Sequence, residues 1–177
     1  SNSGAVDNKG NGLLLGITGS APSNATIAAI KPSSWRICDK WDSISVSDRI
    51  MSIASSNGYS TQLQDILSDY IFFNYGNTEK SGPFNDAYYT SATNQYLANH
   101  NGHGLYAIDI FNEPDTWPYP QNALSTRVLR SAYWNDCYRA IRANANYNNV
   151  LIAGPSTSYN DVNTISPYLD DAYTSGT

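Results

Sequence analysis

Glutamate is nearly absent from this chain: only Glu79 and Glu113 are Glu among its fifteen acidic residues. Positive charge is scarce as well. Ten Lys and Arg against fifteen Asp and Glu leave a net charge of −5, with no basic stripe to neutralise phosphates, which argues against nucleic acid as a partner. No run of about 18 apolar residues occurs, so no membrane span is expected. No leader peptide is visible at the start, and residues 1–12 read as a flexible N-terminus. The two cysteines, Cys38 and Cys137, allow one disulfide or two buried thiols that act as small hydrophobes. No Gly-x-Gly-x-x-Gly or Gly-x4-Gly-Lys-Ser/Thr sequence opens a helix, so nucleotide binding has no support and no cofactor is expected. His100 and His103 are the only histidines. Two alone make a poor metal site, and a role at a helix exit is the better reading.

What remains is a chain built for neutral hydrogen bonding. Charged residues make up 14%, while tyrosine alone supplies fourteen residues and Asn and Ser are abundant. That composition suits a secreted, extracellular protein that handles neutral polar ligands. Asn24-Ala25-Thr26 matches the N-glycosylation acceptor pattern, with Asn24 as the acceptor.

Read in order, the chain alternates short apolar runs with amphipathic segments. Leu13 to Ile17 is the first expected strand. Asn24 to Ile30 is a short helix capped by Ser23 or Asn24 and ended by Pro32. Ser34 to Cys38 is the second strand. A helix capped by Ser45 follows, with Val46, Ile50, Ile53 and Ala54 on its apolar face and Asn57-Gly58 at its end. The third strand lies within Tyr59 to Ile66, where Gln62 and Gln64 are polar for a core. Ser68 to Asp86 reads as a long aromatic loop, whose rings either stack on sugars or fold the loop on itself. Tyr88 to Asn99 is helical, with Ala92, Tyr96 and Leu97 on one side. Leu105 to Phe111 is the fourth strand. Ala123 to Asn146 is the longest helix, its stripe including Val128, Tyr133, Cys137 and Ile141. Its arginines, Arg142 among them, read as a solvated face. Val150 to Ala153 is the fifth strand, and Asp161 to Tyr173 a weaker helix. This β-α alternation predicts an α/β fold with a parallel sheet and covering helices.

The stretch with most chemistry is Ile108 to Asp115. A buried strand ends in Asn112-Glu113, and Pro114 then stops the ladder because it has no N–H to donate. The strand thus delivers a carboxylate at its C-terminal end, where catalytic groups sit in an α/β barrel. An ordinary strand exit with a solvated Glu is the alternative.

Asn112-Glu113-Pro114 resembles the segment after the fourth strand of the clan A glycoside hydrolases, which are (β/α)8 TIM barrels. Ala29-Ile30-Lys31-Pro32 with Ser34-Trp35-Arg36-Ile37 is similar to the second strand of that clan, and Asn149 to Pro155 to its fifth. The resemblance runs over roughly residues 13–158 and is nearest to the β-xylosidase/α-iduronidase-like families. It implies a retaining glycoside hydrolase acting on O-glycosidic bonds of poly- or oligosaccharides. Glu113 would be the acid/base, protonating the leaving oxygen and then deprotonating the attacking water. Asn112 would bond the sugar 2-hydroxyl. Arg36 would reach toward the nucleophile carboxylate, or merely cap its strand. Trp117 and Tyr119 would form a sugar platform beside the acid, or simply pack their loop.

One element of that pattern is missing. A retaining enzyme needs a second carboxylate about 5–5.5 Å from the first, a glutamate after the seventh strand in this clan, yet no glutamate follows Glu113. A whole barrel takes roughly 250 residues. Residues 13–177 are therefore expected to be the N-terminal portion of a barrel, about five β/α units. The nucleophile is expected outside the chain, and the partner is the C-terminal half of the same barrel or a second copy. In such a barrel Cys38 and Cys137 are not neighbours, which favours free thiols. Two further readings stay open. One is a non-catalytic carbohydrate-binding or structural protein on the same scaffold. The other is an inverting hydrolase with Asp39 or Asp115 as base.

Overall fold

Five strands pair side by side in chain order, every neighbour parallel. The computed structural model describes residues 12–14, 22–38, 43–74, 84–113 and 127–156. They form β1 (Gly12–Leu14), α1 (Asn24–Ile30), β2 (Ser34–Cys38), α2 (Ser43–Ser56), β3 (Gln62–Ile66), a short α3 (Leu67–Asp69), α4 (Asp86–Asn99), β4 (Leu105–Asp109), α5 (Arg127–Ala143) and β5 (Leu151–Ala153). The protein is thus α/β with a parallel sheet, as the β-α alternation predicts.

The register assigns the two faces of the sheet. Residues paired across parallel strands point the same way, and side chains alternate along each strand. Ile37 pairs with Asp65, and Asp65 with Ile108. On this face Trp35, Ile37 and Leu63 pack against Ile27 of α1 and Ile50 and Ile53 of α2. Ile108 packs with Tyr89, Tyr96 and Leu97 of α4 and Tyr133, Cys137 and Ile141 of α5. All four long helices therefore cover one face. The opposite face carries Arg36, Gln64 and Ala107 in one row and Ile66 and Asp109 in the next. The polar Gln62 and Gln64 belong to this second face, which is why a strand with a buried Leu63 tolerates them.

Local chemistry accounts for the element ends. Ser23 caps α1, its hydroxyl accepting from the Thr26 N–H at 3.2 Å, and Asn85 caps α4 in the same way through Tyr88. After α2, Gly58 takes a φ of 67°, the left-handed turn that closes a helix without a Cβ clash. Asp65, fully buried beneath α4, accepts from the Ile66 N–H at 2.8 Å and the Tyr96 hydroxyl at 3.1 Å, and His100 Nε2 lies 3.2 Å from it. His100 is the C-cap of α4 and His103 bonds Asp48 at 2.7 Å, the helix-exit role expected of that pair.

Several expectations need correction. The helix assigned to a Ser45 cap begins at Ser43, so Ser45 lies inside its first turn. The aromatic stretch after β3 is not an open loop at its start. It runs through α3 into a π-helical turn, Tyr70–Asn74, and Tyr70, Ile71 and Phe72 are core residues. The Tyr70 and Phe72 rings pack the interior. Val128, placed on the apolar stripe of α5, is 66% exposed. Arg142 is not merely solvated: its Nη1 donates to the carbonyls of Asn148 at 3.1 Å and Val150 at 3.0 Å, tying the turn after α5 to the start of β5. Regular pairing of β4 ends at Asp109 rather than Phe111. The weak helix over 161–173 lies outside the described residues. Cys137 is a free thiol in the core, and burial pushes its pKa up to about 12.

Candidate functional site

Arg36 from β2 and Ser156 from just past β5 converge on Asp109 at the end of β4. This residue closes β4, and its carboxylate is fully buried. Arg36 of β2 reaches across β3 to donate from Nη2 to Asp109 Oδ2 at 2.6 Å and to Asn112 Oδ1 at 2.7 Å. Ser156, just past β5, lies with its Oγ 2.5 Å from the same Asp109 Oδ2. The Phe111 N–H donates to Asp109 Oδ1 at 3.3 Å. From the exit of β3, buried Ser68 accepts the Asn112 N–H at 3.1 Å. An acid at the end of a buried strand survives because Arg36, Ser156 and the Phe111 N–H each offer it a donor, one of them cationic.

The segment beyond β4 is held as firmly as the strand itself. The Phe111 ring is buried and meets Tyr133 edge-on, 4.7 Å between centroids. The Tyr133 hydroxyl donates to the Ile110 carbonyl at 3.0 Å. A parallel bridge pairs Asn112 with Ser156: the Ser156 N–H donates to the Phe111 carbonyl at 2.9 Å, and the Glu113 N–H to the Ser156 carbonyl at 2.6 Å. Glu113, partly buried, sits at a φ of 49°. The other non-glycine at positive φ among the described residues is Lys31, the C-cap of α1. Left-handed backbone costs an L-residue roughly 1–2 kcal/mol, so the contacts around Glu113 must over-determine its position.

The guanidinium also decides how Asn112 is oriented. Arginine has no acceptor, so the amide atom facing Arg36 must be the oxygen. The nitrogen end is therefore the amide's donor end.

Of the residues singled out from sequence, Arg36, Asn112 and Glu113 converge at this site. Trp117 and Tyr119 lie outside the described residues, as do Asp39 and Asp115. Asn24 is the exposed first residue of α1, and its Oδ1 accepts from Arg49 Nε at 2.7 Å. Arg36 meets Asp109, a residue the sequence reading passed over, as it did Ser156 and Ser68. The acid flanked by Ile108 and Ile110 was a signal, since a carboxylate inside an apolar run needs a buried partner. Nothing local marked the two serines.

A concavity of about 280 Å³ lies at the opposite end of the sheet. Its walls include Gly102, Asn146, Tyr147 and Val150, from the segments that lead into β4 and β5, and Tyr106 of β4 itself. Among the described residues no group of three or more His, Cys, Asp or Glu could hold a metal. No helix among them is long and apolar enough to cross a membrane. No family model, no curated protein and no solved structure matches this chain.

Proposed function

We propose that this chain supplies the acid/base half of a retaining glycoside hydrolase built on a (β/α)8 barrel. Two features of the sheet support the barrel. Its strand order runs from β1 to β5 without a reversal, whereas open doubly wound sheets reverse at a switch point. Among the described residues the long helices lie on one face, and further strands of a closed barrel would cover the face with Arg36, Gln64 and Asp109. In this reading the remaining strands and the nucleophilic glutamate lie outside the 177 residues, and the protein is secreted and acts on poly- or oligosaccharides.

The observation that carries the reading is Glu113 itself. The scarcest acidic residue type stands in a costly backbone conformation at the C-terminal end of a buried strand, where barrel enzymes keep their chemistry. Glu113 donates its proton to the glycosidic oxygen as the bond to the anomeric carbon breaks, and the nucleophile takes the sugar. Glu113, now a carboxylate, removes a proton from water as water attacks the glycosyl-enzyme. Asn112, its oxygen held by Arg36, offers its amide nitrogen to the 2-hydroxyl, a contact that strengthens in the oxocarbenium-like transition state. No cofactor enters these steps.

The test compares leaving groups in the native protein, isolated with whatever copurifies. Glu113→Gln should lower kcat/KM on unactivated oligosaccharides by about 10²–10⁴-fold. It should affect the bond-breaking step far less for dinitrophenyl β-glycosides, whose phenolate departs without a proton. Full turnover of oligosaccharides by the variant would refute the assignment. Sugar binding without hydrolysis by the native protein would favour the carbohydrate-binding alternative.

A further inference from the structure

We propose that Asp109 and Ser156 are positioning residues for Glu113: a carboxylate–hydroxyl tie through which the end of the fifth strand fixes the backbone of the acid/base. The kinetic consequence rests on the reading of Glu113 as acid/base, and the structural consequence does not.

Three contacts make Ser156 the clamp. Its Oγ lies 2.5 Å from Asp109 Oδ2. The Arg36 guanidinium, 2.6 Å from that same oxygen, holds Asp109 as an acceptor, so the serine hydroxyl is the donor. An O–H to a carboxylate at this separation belongs to the strongest class of protein hydrogen bonds. The Ser156 backbone then grips the fourth strand's exit twice more, donating to the Phe111 carbonyl at 2.9 Å and accepting the Glu113 N–H at 2.6 Å. One residue thus spans Asp109, Phe111 and Glu113, and the hydroxyl sets its rotation about the other two bonds.

Gly154 lets the backbone approach the tie closely. It takes a φ of 97°, and a Cβ built there would lie 2.6 Å from Asp109 Oδ1. The backbone before Ser156 therefore closes directly over the carboxylate. Asp109 is fully buried, and its part in the proposal is to position other groups. Its charge reaches the proposed chemistry by two routes, through Ser156 to the Glu113 backbone and through Arg36 to the Asn112 amide. Local sequence encodes neither route, because Asp109 and Ser156 are 47 positions apart.

The experiment uses Ser156→Ala and Ser156→Thr in the whole native protein, with Asp109→Asn beside them and Glu113→Gln as the reference. Ser156→Ala carries the test by itself, since it leaves the Arg36–Asp109 pair intact. Amide hydrogen exchange at Glu113, read by NMR, should be roughly tenfold or more faster in Ser156→Ala and close to wild type in Ser156→Thr. On dinitrophenyl and oligosaccharide substrates, kcat of Ser156→Ala should fall about 10–100-fold, with KM changed far less and the pH–rate profile displaced. Unchanged Glu113 exchange in Ser156→Ala would overturn the tie. A wild-type kcat in Ser156→Ala, with Glu113→Gln inactive on oligosaccharides, would overturn its kinetic role while leaving the acid/base reading standing. An active Glu113→Gln would instead remove the acid/base reading, and the exchange measurement alone would then judge the tie.

Discussion

Removing Arg36 should cost more stability than removing the carboxylate it serves. In Arg36→Ala, Asp109 keeps its full burial but loses a cation at 2.6 Å. Two donors remain, the Ser156 hydroxyl at 2.5 Å and the Phe111 N–H at 3.3 Å. Breaking a buried ion pair from one side typically costs 3–5 kcal/mol, because the other charge is stranded. Arg36 is 26% exposed and Asp109 retains its neutral donors, so the lower end applies, about 3 kcal/mol. At roughly 2–4 °C per kcal/mol for a chain of this size, Tm should drop by roughly 6–12 °C. Asp109→Asn strands a guanidinium that water reaches and Asn112 still accepts, so its cost should be about 1–2 kcal/mol. The double variant should be no less stable than Arg36→Ala alone, because the stranded charge is gone. Urea denaturation of the three variants in a double-mutant cycle reads the difference. A loss below about 1 kcal/mol in Arg36→Ala, or strict additivity in the cycle, would refute this account of the network.

Asp136 of α5 carries a pH-dependent penalty. Burial first, then the hydrogen bond and charge of Asp86, raise its pKa to about 7. The folded state therefore holds a proton that the unfolded chain has already released. Stability is fully present below about pH 4 and is lost as pH rises toward 7. Asp136→Asn should escape that loss, so its stability relative to wild type should grow between pH 5 and pH 8. Parallel denaturation curves across that range would contradict the assignment. Gly154→Ala should destabilise by about 1–3 kcal/mol from backbone strain alone, and by more because its Cβ meets Asp109 Oδ1. Gly58→Ala, at a φ of 67° with nothing within 4 Å of the added Cβ, isolates the backbone share. Equal losses at the two glycines by thermal denaturation would mean that Gly154 does not close over Asp109.

Much of the fold was legible because local chemistry wrote it. The Ser34–Cys38 strand and the Asn24–Ile30 helix with its Ser23 cap have the bounds read from sequence. Period-two hydrophobicity and a capping hydroxyl are both local signals. Where the reading failed, the deciding partner was distant. Tyr70 and Phe72 look like loop aromatics until α4 and α5 close over them. Val128 fits a helical stripe that turns out to face water. Arg142 reads as one more surface charge, yet it caps carbonyls on the far side of a turn. The site divides in the same way. Glu113 was visible from its strand and its rarity, whereas Asp109 and Ser156 gain meaning only through contacts across strands.

The most direct test of Glu113 as acid/base is azide rescue of Glu113→Ala in the native protein, with a dinitrophenyl β-glycoside as substrate. The activated leaving group departs without the acid, and the glycosyl-enzyme then waits for a base that is gone. Azide needs no base. The account predicts that turnover, nearly abolished without azide, rises with azide concentration and yields the β-glycosyl azide, identified by NMR. Undiminished hydrolysis without azide, or a crippled variant that azide does not accelerate, would contradict it.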